Sequence, residues 1–263
     1  MVFTNLKYMK TVKKIFFLLF LFMSFCTCNA QESKRPYYRV NWKQIDSIAN
    51  ENPDSIRGLV RRLMQQTMDT TMTNEERILA YYGSTYLPEH KGVLYDLRKI
   101  LFNMRDREYE DALKRNIEVL KRAPLDLNAL ENMVMLIRVE QNSSSKHKTY
   151  TDDDLRYYSN LMDVVVKIVA STGLGSEEAP FAVTSIRDEY ILMYYYLEIK
   201  YGNQGFNVHD GYSVDYFGVK EKSDKYSGDI IVFDTSRVLE LENEDFLQKK
   251  TKKKKNKKIP ATN

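Results

Sequence analysis

Apolar residues recur at three- and four-residue steps through the first half of the chain, and each run has its own start and stop signals. Trp42, Ile45, Ile48 and Ala49 share one face of a short helix that begins near Asn41. Pro53 suits a first helical position, and Ile56, Leu59, Val60, Leu63, Met64 and Thr67 give the next helix its stripe. Thr73 with Glu76 three residues on is a capping box, which opens a helix through Ile78, Leu79 and Tyr82 before Gly83. After the Pro88 turn, Val93, Leu94, Leu97, Ile100 and Leu101 line another. Tyr109, Ala112, Leu113, Asn116, Ile117 and Leu120 then form a face that only Asn116 interrupts. Pro124 pushes Ala123 out of the α region, and Asp126 or Asn128 caps the following helix, whose face is Leu130, Met133, Val134 and Ile137. At least six helices are thus predicted before residue 141, paired across short turns.

Residues 141–150 read as an exposed polar loop, and Thr151 caps a long helix with Leu155, Tyr158, Met162, Val165, Val166 and Val169 on its inner side. Asp152 to Asp154 fall in its first turn, where the helix dipole favours negative charge. From Ser171 the pattern changes. Gly173 and Gly175 break the helix, Phe181 to Ile186 has the β-branched content of a short strand, and Asp188 to Ile199 reads as a buried helix closed by Gly202. Residues 205–220 alternate, with Phe206 and Val208 and with Tyr212, Val214 and Tyr216, and together with Ile230 to Phe233 they predict an antiparallel hairpin laid on the helices. A last short helix, Val238 to Leu247, covers its edge. Helices first and strands after predict an α+β fold, mostly helical, with a small antiparallel β region near the C-terminus. The helical hairpins of 31–140 and the region 151–248 are expected to form one domain, with two lobes as the alternative.

Composition changes the picture at the two ends. With 43% hydrophobic and 29% charged residues the 263-residue chain is that of a folded protein. Lys7, Lys10, Lys13 and Lys14 precede an apolar run from Ile15 to Met23, followed by a small, polar segment to Ala30. That order predicts a signal peptide, residues 1–30, cleaved between Ala30 and Gln31, with Met1 or Met9 as the start. The run is shorter than the roughly twenty residues a membrane span needs. Export to the periplasm or outer envelope is therefore expected. Both cysteines, Cys26 and Cys28, lie in the leader, so the exported form relies on packing without disulfides. With the four leader and eight tail lysines set aside, 28 basic residues face 36 acidic ones, so residues 31–248 carry about −8. The Lys-rich tail, 249–263, is expected to be disordered. It is a solvated extension, or a contact for anionic polymers or a membrane surface, and it has no specificity for nucleic acid.

Two resemblances stand beside this reading. In the hairpin 109–130 the aromatic residue, the Ala three on and the Pro twelve after that are similar to the second helix and exit turn of a tetratricopeptide repeat, with an ordinary helical hairpin as the alternative. Tyr81-Tyr82-Gly83, Thr172-Gly173 with Ser176, Phe181-Ala182-Val183, Asp188-Glu189-Tyr190, Asp215 and Phe233-Asp234 resemble, over roughly residues 35–235, an uncharacterised family of exported bacterial envelope proteins known as a domain of unknown function. That resemblance implies export and no assigned activity.

Candidate chemistry is sparse. His90, His147 and His209 have no partner at i+4, so no zinc signature exists, no metal or cofactor is predicted, and each is expected at the surface. His209, Asp210 and Asp215 are the one group with catalytic residue types, although Asp210-Gly211 also suits a turn. The TGLGS loop at 172–176 lacks the Lys of a phosphate loop and reads as a helix C-cap. Eighteen tyrosines follow the leader. Of these, Tyr81, Tyr82, Tyr157 and Tyr158 are candidates for a binding surface, because tyrosine contributes a flat apolar face and a hydroxyl at low entropy cost. These features predict an exported, non-enzymatic binding or scaffold protein whose partner is an envelope protein, peptide or glycan. A hydrolase of an envelope polymer is the alternative.

Overall fold

The helix start signals are used where they stand. In the computed structural model, residues 36–65, 69–144, 148–209 and 212–256 are described, apart from the side chains of 209, 212 and 247–256. The expected leader and its expected cleavage point, Thr67, His147, Asp210, Gly211 and residues 257–263 lie outside the described residues. Helix α1 (Trp42–Glu51) is capped by the Asn41 side chain, α2 (Pro53–Leu63) by Asn52, and α3 (Asn74–Ser84) by the Thr73–Glu76 capping box. A short 3₁₀ turn, Pro88–His90, leads to α4 (Val93–Arg105) and α5 (Tyr109–Arg122). Asp126 caps α6 (Leu127–Asn142), and Thr151 with Asp154 caps α7 (Asp152–Ala170).

After α7 come strand β1 (Phe181–Ala182), helix α8 (Ile186–Ile191) with a π turn (Leu192–Tyr196), strands β2 (Lys200–His209), β3 (Tyr212–Glu221) and β4 (Ile230–Asp234), and helix α9 (Ser236–Asn256). Among the described residues the fold is therefore α+β, nine α-helices and one mixed four-stranded sheet in the order β1-β4-β3-β2. The alternating stretch 205–220 is itself the β2–β3 hairpin, with β4 antiparallel on its inner side and β1 parallel at the far edge. The expected pairing of 205–220 as one strand with 230–233 thus becomes three strands. The reason is that the chain pairs back on itself, His209 opposite Tyr212, a reversal that the alternation alone did not mark.

Consecutive helices pack against each other from α1 to α3 and again from α4 to α7, and they enclose two hydrophobic cores. The larger one joins α1–α3, α6–α8 and the sheet; the smaller lies among α4, α5 and α6. Helix α6 serves both, Leu127 and Leu130 in the first and Ala129 and Leu136 in the second. This is why it is buried nearly all round. Each fully buried Ile or Leu here stabilises by roughly 1.5–3 kcal/mol.

Several local expectations are corrected. Asn116 does not interrupt the α5 face. It is fully buried at its centre, and its Nδ2 donates to the Ala129 carbonyl at 2.9 Å, tying α5 to α6. The helix expected over 188–199 starts at Ile186 and widens into the π turn. There Leu197 N–H bonds to Leu192 O at 2.9 Å, and the chain reverses at Glu198, φ 55°. Gly202 lies within β2, and Tyr194 and Tyr195 face solvent rather than core. His90 is buried, not at the surface. Finally, α9 continues through Asn256, so the first lysines of the tail are helical rather than disordered. Lysine has good helix propensity, and a helix already anchored at its start extends without a new nucleus.

Candidate functional site

A cleft of about 710 Å³ opens between α7 and the α2–α3 pair. Its apolar lining is the outer edge of the larger core: Leu63 and Met64 at the end of α2, and Leu161, Val164 and Ile168 on α7, of which Met64 and Val164 are the half-buried ones. One end is closed by Tyr157, whose hydroxyl donates to the Met64 carbonyl at 3.2 Å. The other is closed through Tyr38: Asn74 Nδ2 donates to the Tyr38 hydroxyl at 2.8 Å, and Tyr38 N–H to the Ser171 carbonyl at 2.8 Å.

Three cations line the cleft. Arg156 is paired with Asp153, and Lys167 with Asp163 at 2.6 Å. Arg77, from the second turn of α3, has no carboxylate partner among the described residues. Its Nη2 reaches the Asp69 carbonyl at only 3.4 Å, and its buried Nε–H has no acceptor. The nearby acids are otherwise engaged, since Asp69 and Glu76 both hold Arg62, at 2.9 and 3.2 Å.

A second polar cluster lies inside the protein, where α3 meets β1 and α8. Tyr82 donates to the Ala182 carbonyl at 2.7 Å, and Ala182 N–H to Thr172 Oγ1 at 3.0 Å. Asp188 collects five donors: the N–H and hydroxyl of Thr184, the N–H and hydroxyl of Ser185, and the hydroxyl of Tyr81. Burial raises its pKa against the pull of these bonds. Beside it, burial and the charges of Asp215 and Asp188 push Glu189 up to about 10. As a carboxylate Glu189 would have no donor for either oxygen; as the acid it donates to Asp215. The Asp215 carboxylate also accepts from Gln204 Nε2 at 3.2 Å. Asp126 is pushed up to about 7 by burial and by Asp188. Burial, with the charges of Arg237 and Arg122, drives His90 down to about 3, so its 3.9 Å approach to Asp126 is a contact of a neutral ring. These groups are enclosed, and they hold the sheet on the helices.

A family model described as a domain of unknown function, DUF4919, matches residues 43–244. The chain belongs to that family. No match was found among curated proteins or among solved structures. The short motifs that resembled such a family converge on the buried junction: Tyr81 and Tyr82 from α3, Thr172 after α7, Ala182 from β1, Asp188 and Glu189 from α8, and Asp215 from β3. Gly83 belongs with them, because a Cβ there would stand 2.9 Å from Ile56 Cδ1.

The sequence candidates separate accordingly. Tyr81 and Tyr82 are at most 1% exposed, so they are core residues and present no binding surface. Tyr157 and Tyr158 are half-buried, edge to face with ring centroids 5.1 Å apart, and Tyr157 lines the cleft. Asp215 is buried against Glu189, while the side chain of His209 and all of Asp210 lie outside the described residues. Among the described residues no group of acids and histidines could hold a metal ion, and no helix is long and apolar enough to cross a membrane. Sequence reasoning passed over Arg77, Asn160 and Lys167, which look like ordinary solvated helix positions. The available signal was Arg77 falling one position beyond the capping box, on the side of α3 that turns toward α7.

Proposed function

We propose that this chain is an exported binding protein of the bacterial envelope, without a catalytic role, which holds its ligand in the cleft between α7 and α2–α3. The cleft carries this reading: its volume of about 710 Å³ falls within the roughly 300–1,000 Å³ typical of small-ligand sites. Its walls are helices, and polar and apolar side chains interleave along α7, from Arg156 and Tyr157 through Asn160 and Leu161 to Lys167 and Ile168. The basic, apolar and small-residue order of residues 1–30 supports export. The α5–α6 hairpin, similar to a tetratricopeptide unit, supports a scaffold of stacked helices. In this reading the lysine run from Lys249 is an electrostatic tether to anionic envelope material. The hydrolase reading is not adopted, because Asp215 points its carboxyl at Glu189 and Gln204 rather than into a cavity.

Two measurements test the proposal. Mass spectrometry of the protein recovered from its host's envelope should find Gln31 at the N-terminus; an intact leader overturns export. Hydrogen exchange with and without a small-molecule extract of the envelope should show slowed exchange confined to the end of α2 and to α7. Unchanged exchange there overturns the binding role.

A further inference from the structure

The geometry points to an acid on a hydrocarbon chain, a carboxylate amphiphile, as the ligand class of this cleft. This rests on the binding role proposed above and goes further by assigning the two ends of the ligand. Counting lining side chains, Arg77, Arg156 and Lys167 stand against Asp153 and Asp163, which leaves one positive charge in the lining; the acids that balance it, Asp69 and Glu76, are both turned to Arg62. That charge is located. Arg156 and Lys167 have their own aspartates one helical turn away, whereas Arg77 has no carboxylate partner among the described residues and one long bond, from Nη2 to the Asp69 carbonyl at 3.4 Å. A guanidinium presents donors in a planar fork that matches a carboxylate, and bonds to an ionised acceptor are about twice as strong as neutral ones.

The apolar part of the ligand follows from helix geometry. Asn74 and Arg77 are three residues apart on α3, and the Asn74–Tyr38–Ser171 bonds place that end of α3 at the C-terminal end of α7. From there Ile168, Val164, Leu161 and Tyr157 recur at steps of three and four, one stripe running toward Met64 at the closed end. Eleven residues at 1.5 Å each span about 16 Å, long enough for an extended chain of about ten carbons. Head at Arg77 and tail toward Tyr157 is the orientation that gives Arg77 a carboxylate and lays the chain over Val164 and Tyr157, the half-buried members of the stripe, Leu161 and Ile168 being already in the core. A neutral polymer such as a glycan would leave the guanidinium without a carboxylate in direct contact.

Isothermal titration of decanoate and of decanol into the full chain tests this, with R77M, R77K and V164W as variants and thermal melts to show that each is folded. V164W fills the cleft without touching Arg77's charge. The expected result is that decanoate binds wild type about 10- to 100-fold more tightly than decanol. R77M should erase that preference, R77K should keep part of it, and V164W should abolish binding of both. If decanoate and decanol bind equally to wild type and both are lost only in V164W, the cleft binds ligands but the acid assignment is overturned. If decanoate binding survives V164W, the amphiphile binds elsewhere, and the binding role of the cleft fails together with the inference.

Discussion

The hydroxyl of Tyr81, on α3, donates to Asp188 at the start of α8 across 3.2 Å, and both residues are at most 1% exposed. The bond joins the helical layer to the segment that feeds the sheet. Asp188 is the acceptor for five donors, so its loss strands several buried polar groups, whereas loss of the Tyr81 hydroxyl removes one. Y81F should therefore cost about 1 kcal/mol in urea unfolding, and D188A at least ~3 kcal/mol. Equal effects would show that Tyr81 is the anchor and Asp188 merely fills space.

Glu189 makes stability depend on pH in a direction opposite to the usual carboxylate. Its folded pKa, about 10, lies above its ordinary value of 4.5, so the folded state keeps a proton that the unfolded chain releases. Its contribution is complete below pH 4.5 and is lost as pH rises toward 10. Asp126, at about 7, adds the same trend below neutrality, while His90, at about 3, opposes it by favouring the fold above pH 6.5. Between pH 7 and 9 Glu189 remains the main contributor among these three. Wild type should lose on the order of 1 kcal/mol per pH unit there, and E189Q, whose amide can donate to Asp215 at any pH, should flatten the profile. Parallel slopes for the two proteins would refute the shared proton.

Arg237 fixes the start of α9. Its guanidinium donates to the Thr85 carbonyl at 2.7 Å and to Thr85 Oγ1 at 3.2 Å, stands 3.7 Å from the Tyr86 ring centroid, and faces Glu240 and Glu244. R237A should destabilise by roughly 3 kcal/mol and speed hydrogen exchange over residues 236–246. R237K keeps the charge but not the fork and should recover less than half of the loss. Exchange in α9 that stays slow in R237A would locate its docking elsewhere.

Gly173 and Gly175 tie the end of α7 to the sheet. A Cβ at Gly173 would lie 2.2 Å from the Pro180 carbonyl oxygen, and backbone cannot step aside as a side-chain tip can. Gly175 sits at φ 75°, and its carbonyl accepts from Val232 N–H and the Tyr226 hydroxyl. G173A should cost at least ~3 kcal/mol, and G175A about 1–2 kcal/mol from the left-handed backbone and from displacing Tyr226. A melting temperature unchanged in G173A would contradict the close approach.

Legibility followed the range of the forces. Caps are made within four residues, so Thr73–Glu76, Asn52 and Thr151–Asp154 could be read in advance. Tyr81 could not. On a helix stripe it looks the same whether its hydroxyl meets water or Asp188, and only a contact across 107 residues made it core. Asn116 was misjudged for the same reason, since the carbonyl that accepts from its Nδ2 belongs to the next helix.

The sequence by itself determined the α+β class, the capped helix starts from Asn41 to Thr151, the acidic body between basic ends and the absence of cysteine beyond Cys28, because periodicity, capping and charge are local properties of a chain. The tertiary structure alone decided that β2 and β3 are separate strands, that Glu189 meets Asp215, and that Arg77 lines the cleft against α7 with no carboxylate partner among the described residues. Burial and the pairing of charges are set by which distant segments come together, and no spacing along the chain encodes that.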